Sequence, residues 1–174
     1  GIDFSNLEND ITLGGSSFAS MTGLETLQTS NVITYGNSCF ASNLNLTSAD
    51  ITYNGVNDVK FLSSVFDGCA SLTTVNIPDR MKSFLNSNFQ GCASLKTLDL
   101  SNTNITSIGT SNFRSNNGTS QYHGIHVNLD NGKLTTIGSN NWQGSQLITG
   151  VTIPSTVNQF GSYNFSNCLY GFRY

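Results

Sequence analysis

An aromatic residue recurs along the chain at nearly regular intervals. Seven such residues, here called the anchors, are separated by 22, 26, 23, 24, 29 and 23 positions: Phe18, Phe40, Phe66, Phe89, Phe113, Trp142 and Phe165. Self-similarity with a period of roughly 20 to 50 residues indicates a repeat protein. A segment of this length cannot bury its apolar residues alone, so neighbouring coils have to stack. The sequence therefore predicts a solenoid of about seven coils around one shared core.

Apolar positions around the anchors predict short strands. An apolar residue lies five positions before every anchor, and a glycine follows it in five of the seven segments. This glycine indicates a corner that needs a positive φ or a close approach of two backbones. Nine and eleven positions after the anchor, apolar residues alternate with polar ones, as at Val75 and Ile77 or Leu98 and Leu100. The alternation predicts one short parallel strand per coil, and no sustained 3.6-residue pattern predicts more than a little α-helix.

The two central segments share a longer motif. Gly-Cys-Ala-Ser-Leu occurs at 68–72 and at 91–95, each time starting two residues after an anchor. Val75-x-Ile77-Pro78 follows the first copy, and Val151-x-Ile153-Pro154 matches it near the C-terminus. An apolar-x-x-apolar-Gly step then leads into the next anchor. This combination resembles the BspA-like leucine-rich repeats of bacterial surface proteins, over about residues 13 to 168.

The resemblance implies a strand-rich leucine-rich-repeat solenoid in a secreted or surface-anchored bacterial protein. It also implies a non-enzymatic role in protein binding, that is, in adhesion to host or other cells. The alternative is a structural spacer that presents another domain of a larger surface protein. The expected partner is an extracellular protein or a host or microbial surface ligand, and edge-to-edge pairing into a homo-oligomer is a further option. Because a fold does not determine a function, these remain expectations.

We expect a single domain. Residues 13–174 would form the solenoid, and residues 1–12 would form an N-terminal cap that contains Ile2, Phe4, Leu7 and Ile11. The C-terminal residues 168–174 either fold back as a lid or leave an edge that pairs with another copy or a further domain. The chain begins at Gly1 rather than Met, so we expect a fragment of a longer protein whose leader has been removed.

The polar surface is neutral rather than ionic. Charged residues make up 10% of the chain, whereas it contains 23 Asn, 24 Ser and 19 Thr. This composition favours an extracellular location. A net charge of −3 with no basic run gives no attraction to nucleic acid or to anionic lipid. No apolar run exceeds three residues, which excludes a membrane-spanning helix in this segment.

Few residues suggest chemistry, and we predict no enzyme, no cofactor and no metal site. Cys69, Cys92 and Cys168 each lie three positions after an anchor, which indicates small buried side chains, although a bridge between Cys69 and Cys92 is the alternative. His123 and His126, near Asp130, fall in the longest interval between anchors and are expected to be surface residues. No Gly-x-Ser-x-Gly elbow is present to suggest a hydrolase.

The outward face of the strands is the candidate binding surface. If the positions nine and eleven after an anchor point inward, the positions eight, ten and twelve point outward. Val127 and Leu129 would be the inward pair of the fifth coil. A merely solvated face is the alternative, since the surface has no aromatic or arginine side chain to act as a binding hot spot. The predicted binding residues are Thr74, Asn76, Thr97, Asp99, Thr152, His126 and Asn128, within rows that also include Thr26, Gln28, Asp50 and Asp130.

Overall fold

The computed structural model describes residues 1–116, 125–145 and 148–168. Within these ranges the chain forms fourteen short strands and no helix, so no described segment is an apolar helix of membrane-spanning length. The strands are β1 (Ile2–Phe4), β2 (Ile11–Leu13), β3 (Thr26–Thr29), β4 (Val32–Tyr35), β5 (Ser48–Ile51), β6 (Val59–Phe61), β7 (Thr74–Asn76), β8 (Met81–Phe84), β9 (Thr97–Asp99), β10 (Ser107–Ile108), β11 (Ile125–Asn128), β12 (Thr136–Ile137), β13 (Ile148–Thr152) and β14 (Gln159–Phe160).

Each coil contributes two strands, one to each side of the solenoid. The even-numbered strands pair in parallel as one seven-stranded sheet. The odd-numbered strands form two parallel ladders, β1-β3-β5-β7 and β9-β11-β13, and β7 lies beside β9 where the ladder is interrupted. The predicted leucine-rich-repeat solenoid with a parallel strand per coil is confirmed. The structure adds a second strand to every coil.

A bulge conceals the second strand in the sequence. In β4 both Val32 and Tyr35 are buried although they are three residues apart, because the register with β2 shifts within the strand. The same shift occurs between β6 and β8. A β-bulge adds one residue to a strand and so breaks the period-two alternation. In β4 and β8 the two buried apolar residues therefore lie three positions apart, and the usual strand pattern is lost.

The anchors form one continuous column through the core. Successive rings from Phe18 to Phe165 stack with centroid distances between 5.0 and 6.3 Å and interplanar angles of at most 20°. The five central anchors are fully buried. Stacked aromatic pairs are worth about 0.5–1.5 kcal/mol beyond the area that they bury. The predicted shared interior is confirmed, and each coil depends on its neighbours for this packing.

Left-handed residues flank every anchor. The residues two positions before and two positions after each of the seven anchors have φ between 55° and 72°. Eight of these fourteen positions are serine, which pays more for this conformation than glycine does. The glycine that precedes the anchor by four positions serves the other purpose, close approach: a Cβ on Gly138 would lie 2.5 Å from the carbonyl oxygen of Gly109.

A ladder of buried asparagines lies beside the aromatic column. Asn88, Asn112, Asn141 and Asn164 each directly precede an anchor and are at most 3% exposed. The Oδ1 atom of each accepts a hydrogen bond, 2.8–3.0 Å long, from the backbone N–H at the same position of the preceding coil. Buried polar groups need such partners. The asparagines thus link consecutive coils where no strand ladder does so.

The cysteines pack in the core and are free. The thiols of Cys69, Cys92 and Cys168 donate to the carbonyl oxygen of the anchor in the preceding coil, at 3.0–3.2 Å. Ser145 makes the equivalent bond with its hydroxyl. The prediction of small buried side chains is confirmed for Cys69 and Cys92, which are not bridged, whereas Cys168 is only half-buried.

The structure describes the N-terminal end of the solenoid in full, and it describes the C-terminal end as far as residue 168. At the N-terminus β1 pairs with β3, and the Phe4 ring packs edge-on to Phe18 at 5.7 Å. These residues extend the sheet and the core by one strand, and their separate status as a cap stays a prediction. The proposed C-terminal lid falls on residues 169–174, which lie outside the described residues.

Candidate binding face

All seven predicted binding residues lie on the outward side of the odd-numbered strands, here called the odd-strand face. Val127 and Leu129 are buried, as the assignment of the fifth coil required, and so are Leu98 and Leu100. Parallel pairing aligns the outward residues into rows that cross the strands. Thr97 lies beside His126, and Thr26, Ser48 and Thr74 continue that row in the first ladder. Whether these residues bind a partner stays a prediction.

The second row alternates carboxylates and amides, and we call it the acid-amide row. Strand register aligns Asp3 with Gln28, Gln28 with Asp50 and Asp50 with Asn76 in the first ladder. In the second ladder it aligns Asp99 with Asn128 and Asn128 with Thr152. Among the odd-numbered strands, β1, β5 and β9 therefore each present a carboxylate, and β3 and β7 between them each present an amide. The row consists of Asp3, Gln28, Asp50, Asn76, Asp99, Asn128 and Thr152.

Each carboxylate of the row accepts a hydrogen bond at one of its two oxygens. Oδ1 of Asp3 accepts the backbone N–H of Ser5 at 2.7 Å, and Oδ1 of Asp99 accepts that of Ser101 at 2.9 Å. Oδ1 of Asp50 accepts Nδ2 of Asn76 at 3.0 Å. Hydrogen bonds from the serine two residues on lower the pKa of both Asp3 and Asp99, because they stabilise the ionised form. The carboxylates of Asp3 and Asp99 are therefore charged at neutral pH, and a backbone hydrogen bond fixes the direction of each.

Charge is segregated between the two sides of the solenoid. Among the described strands, the odd-numbered ones contain Asp3, Asp50 and Asp99 and no lysine or arginine. The even-numbered ones contain Lys60 and Lys82, both exposed, and no acidic residue. Charges separated by less than about 10 Å reinforce one another at ordinary salt, so the strands of the odd-strand face are acidic. Arg80 lies in the turn after β7, and exposed Lys96 directly precedes β9.

An open cleft adjoins the row at the C-terminal ends of β5 and β7. Its volume is about 480 Å³, and it is lined by Asp50, Asn76, Tyr53, Asn54 and Arg80, among others. The longer interval between Phe40 and Phe66, of 26 residues, supplies Asn54. Tyr53 is buried, and its hydroxyl donates to Oδ2 of Asp10 at 2.8 Å. The cleft is a polar recess that widens the acid-amide row rather than an enclosed pocket.

Other candidate groups offer no assembled site in the described part of the chain. His126 is exposed, and its Nδ1 atom would lie 2.8 Å from a Cβ on Gly150, so the imidazole covers that glycine. His123 lies outside the described residues. No three His, Cys, Asp or Glu side chains within 1–116, 125–145 and 148–168 are grouped as metal ligands would be. Burial raises the pKa of the Cys39 and Cys69 thiols to about 12, so neither is a thiolate nucleophile at neutral pH.

Sequence reasoning missed one acidic member of the row. Asp3 belongs to β1, which precedes the first anchor, so no count from an anchor could place it. A signal was present: Ile2, Asp3 and Phe4 alternate apolar, polar, apolar like the later strands. The alternation of acid and amide was also overlooked, because it becomes visible only when the strands are aligned in register.

The comparison with protein families agrees with this architecture. The model of the BspA-type leucine-rich repeat region matches residues 2–62 and 57–170, with six copies of the repeat. The chain belongs to the BspA-type leucine-rich repeat family. Six copies compare with seven anchors, which is consistent with the expected number of coils.

A solved leucine-rich repeat protein has a similar fold. The crystal structure of a leucine-rich repeat protein from Bacteroides ovatus ATCC 8483 superposes with a TM-score of 0.58 at 20% sequence identity. The similarity covers 97% of this chain and 34% of that one, so this BspA-type chain spans about a third of its relative. At this identity the likeness concerns the fold alone. None of the curated proteins compared with the chain matches it in sequence.

Proposed function

We propose that this BspA-type solenoid is a non-enzymatic binding module of a secreted or cell-surface bacterial protein, and that it adheres to an extracellular protein through its odd-strand face. The observation that carries the proposal is the acid-amide row with its flanking row of Thr74, Thr97 and His126. A solvated surface needs no such order. Side chains whose directions are already fixed lose less entropy when a partner binds, which favours recognition.

Location outside the cell is part of the proposal. It is supported by the low content of charged residues and the abundance of Asn, Ser and Thr. The family match and the Bacteroides ovatus relative favour a bacterial source. The lack of catalytic machinery is likewise proposed: His126 lies beside Thr97 on the exposed face, but within the described residues no hydrogen bond joins the imidazole to that hydroxyl to activate it as a nucleophile.

Binding of the labelled protein to intact epithelial cells, measured by flow cytometry, tests the proposal. The substitutions Asn76→Arg and Thr97→Arg place two bulky cations on the odd-strand face. The matched control, Thr12→Arg with Ser107→Arg, adds the same charge to exposed positions of the even-strand sheet. We expect the first pair to abolish binding and the control pair to retain it. Protease treatment of the cells should remove the binding, because the ligand is proposed to be a protein.

Equal binding by the wild type and both variants would refute the use of this face. No binding by the wild type would instead favour the alternative function, a spacer that presents another domain. Circular dichroism of each variant shows whether the fold is retained, so a loss of binding can be assigned to the surface.

A further inference from the structure

The acid-amide row has a repeat of its own, at every second coil. Its carboxylates lie on the first, third and fifth odd-numbered strands, and Gln28, Asn76 and Asn128 lie between and beyond them. We propose that the odd-strand face binds an extended polypeptide in polyproline II conformation, which runs along the solenoid axis and carries lysine or arginine at every third residue. This inference rests on the proposed function and names the chemistry of the partner.

The spacing of the charges favours this conformation. Neighbouring strands lie about 4.8 Å apart, so carboxylates on alternate coils are separated by about 9.6 Å. In polyproline II a residue recurs on the same side every third position, at about 3 × 3.1 = 9.3 Å. A β-strand repeats on one side every second residue, at about 6.8 Å, and therefore loses register after one contact. The remaining mismatch of about 0.3 Å per repeat is small beside the reach of a lysine or arginine side chain.

The amides between the carboxylates fit the same ligand. Polyproline II has no internal hydrogen bonds, so its backbone carbonyls need donors from elsewhere. Gln28 lies on the strand between Asp3 and Asp50, and Asn76 on the strand beyond Asp50, so amide side chains adjoin the carboxylates along the path of such a ligand. An amphipathic helix fits less well, because it needs an apolar groove. The outward residues of the odd-numbered strands are Thr, Ser, Asp, Asn, Gln and His, without an apolar strip.

The shape of the face also favours one extended segment. Seven odd-numbered strands span about 29 Å along the axis, and each contributes only three to five residues. The face is thus about 30 Å by 10 to 15 Å, or roughly 300 to 450 Å², whereas a stable globular interface takes about 800 Å² per partner. A narrow acidic strip with Lys60 and Lys82 on the opposite sheet directs a basic chain to this side.

Two isomeric peptides test the inference by fluorescence anisotropy at low salt. The probe is acetyl-(Pro-Pro-Lys)4-amide, and its isomer contains the same four lysines and eight prolines with the lysines in adjacent pairs. The double variant Asp50→Asn/Asp99→Asn removes two carboxylates of the row. The control, Glu8→Gln/Asp58→Asn, removes two exposed carboxylates outside it.

We expect the probe to bind about tenfold more tightly than its isomer, because only the probe places a lysine opposite each successive carboxylate of the row. The substitutions in the row should weaken binding of the probe by about tenfold, and those in the control variant should weaken it by less than about twofold. Equal affinity for the two isomers, equal losses in the two variants or no binding of the probe would each overturn the inference. If the peptides fail while Asn76→Arg/Thr97→Arg still abolishes binding to cells, the proposed function stands and only the ligand class is wrong.

Discussion

The buried asparagine ladder makes a prediction about Asn141. Its Oδ1 atom accepts the N–H of Asn112 at 2.9 Å, and its Nδ2 atom donates to the carbonyl oxygens of Gly109 at 2.9 Å and Gly138 at 3.0 Å. Asn141→Ala leaves two groups without a partner, the buried N–H of Asn112 and the half-buried carbonyl of Gly109. The carbonyl of Gly138 keeps its bond from Asn164 at 2.8 Å.

The expected cost follows from these two orphaned groups. Each unsatisfied buried group costs about 1–3 kcal/mol, so Asn141→Ala should lower the free energy of unfolding by about 3 kcal/mol. For a chain of this size that corresponds to a fall in Tm of about 6–12 °C. Calorimetry together with urea unfolding measures both quantities. Asn102→Ala is the matched control, because Asn102 is exposed, and it should change stability by less than about 0.5 kcal/mol.

A second variant separates lost hydrogen bonds from lost volume. Asn141→Asp keeps the shape but replaces the donor with an oxygen that faces two carbonyls. The folded state should raise the pKa of this carboxyl, so the loss of stability grows as pH rises from about 4 through the folded pKa and is complete above it. The reasoning is refuted if Asn141→Ala and Asn102→Ala have equal stability, or if Asn141→Asp is as stable as the wild type at pH 7.

Three further predictions follow from the structure. Gly91→Ala should cost about 1–2 kcal/mol, because φ is 71° but the added Cβ makes only an ordinary contact with Gly68, at 3.6 Å. Gly138→Ala should cost about 3 kcal/mol or more, because its Cβ meets the backbone of Gly109; urea unfolding compares the two. NMR titration should place the pKa of Asp99 below its usual range, and the small stability that this carboxylate adds at neutral pH should be lost as pH falls through that folded value. In the native protein Cys168 should react with a disulfide reagent before Cys69, whose pKa of about 12 and burial keep it a thiol.

The sequence predicted the features that repeat at a fixed distance from an aromatic residue. Spacing alone located Phe66 and Phe89 in one stack, because a packed column requires one large ring per coil. The same count placed Thr97 and Asp99 outward, because exposed and buried residues alternate from Thr97 to Leu100. At these positions the local pattern agrees with the tertiary packing, so the pattern alone predicted the structure.

The features that were missed depend on register between coils. Val32 and Tyr35 are both inward only because of a bulge, which has no period that a scan for alternation could detect. Asn141 and Asn164 do not stand out among the 23 asparagines of the chain, although their shared position before an anchor marks them as a ladder. The alternation of acids and amides was missed for another reason: Asp50 and Asn76 share the tenth position after an anchor, but these side chains were considered as one polar face and not in order along it.

Hydrogen exchange in Phe89→Leu tests the central claim, that all coils share one core. Phe89 is fully buried and stacks on Phe66 at 5.6 Å and on Phe113 at 6.3 Å. It also contacts the rings of Phe84 at 5.7 Å and Phe61 at 6.5 Å, so the substitution removes four ring contacts, of which the two in the column are worth about 2 kcal/mol together. If the core is shared, protection of backbone amides near Phe40 and near Trp142 falls by the same amount as protection near Phe89. If protection falls only between the neighbouring anchors, at Phe66 to Phe113, the coils are independent units and the account is contradicted.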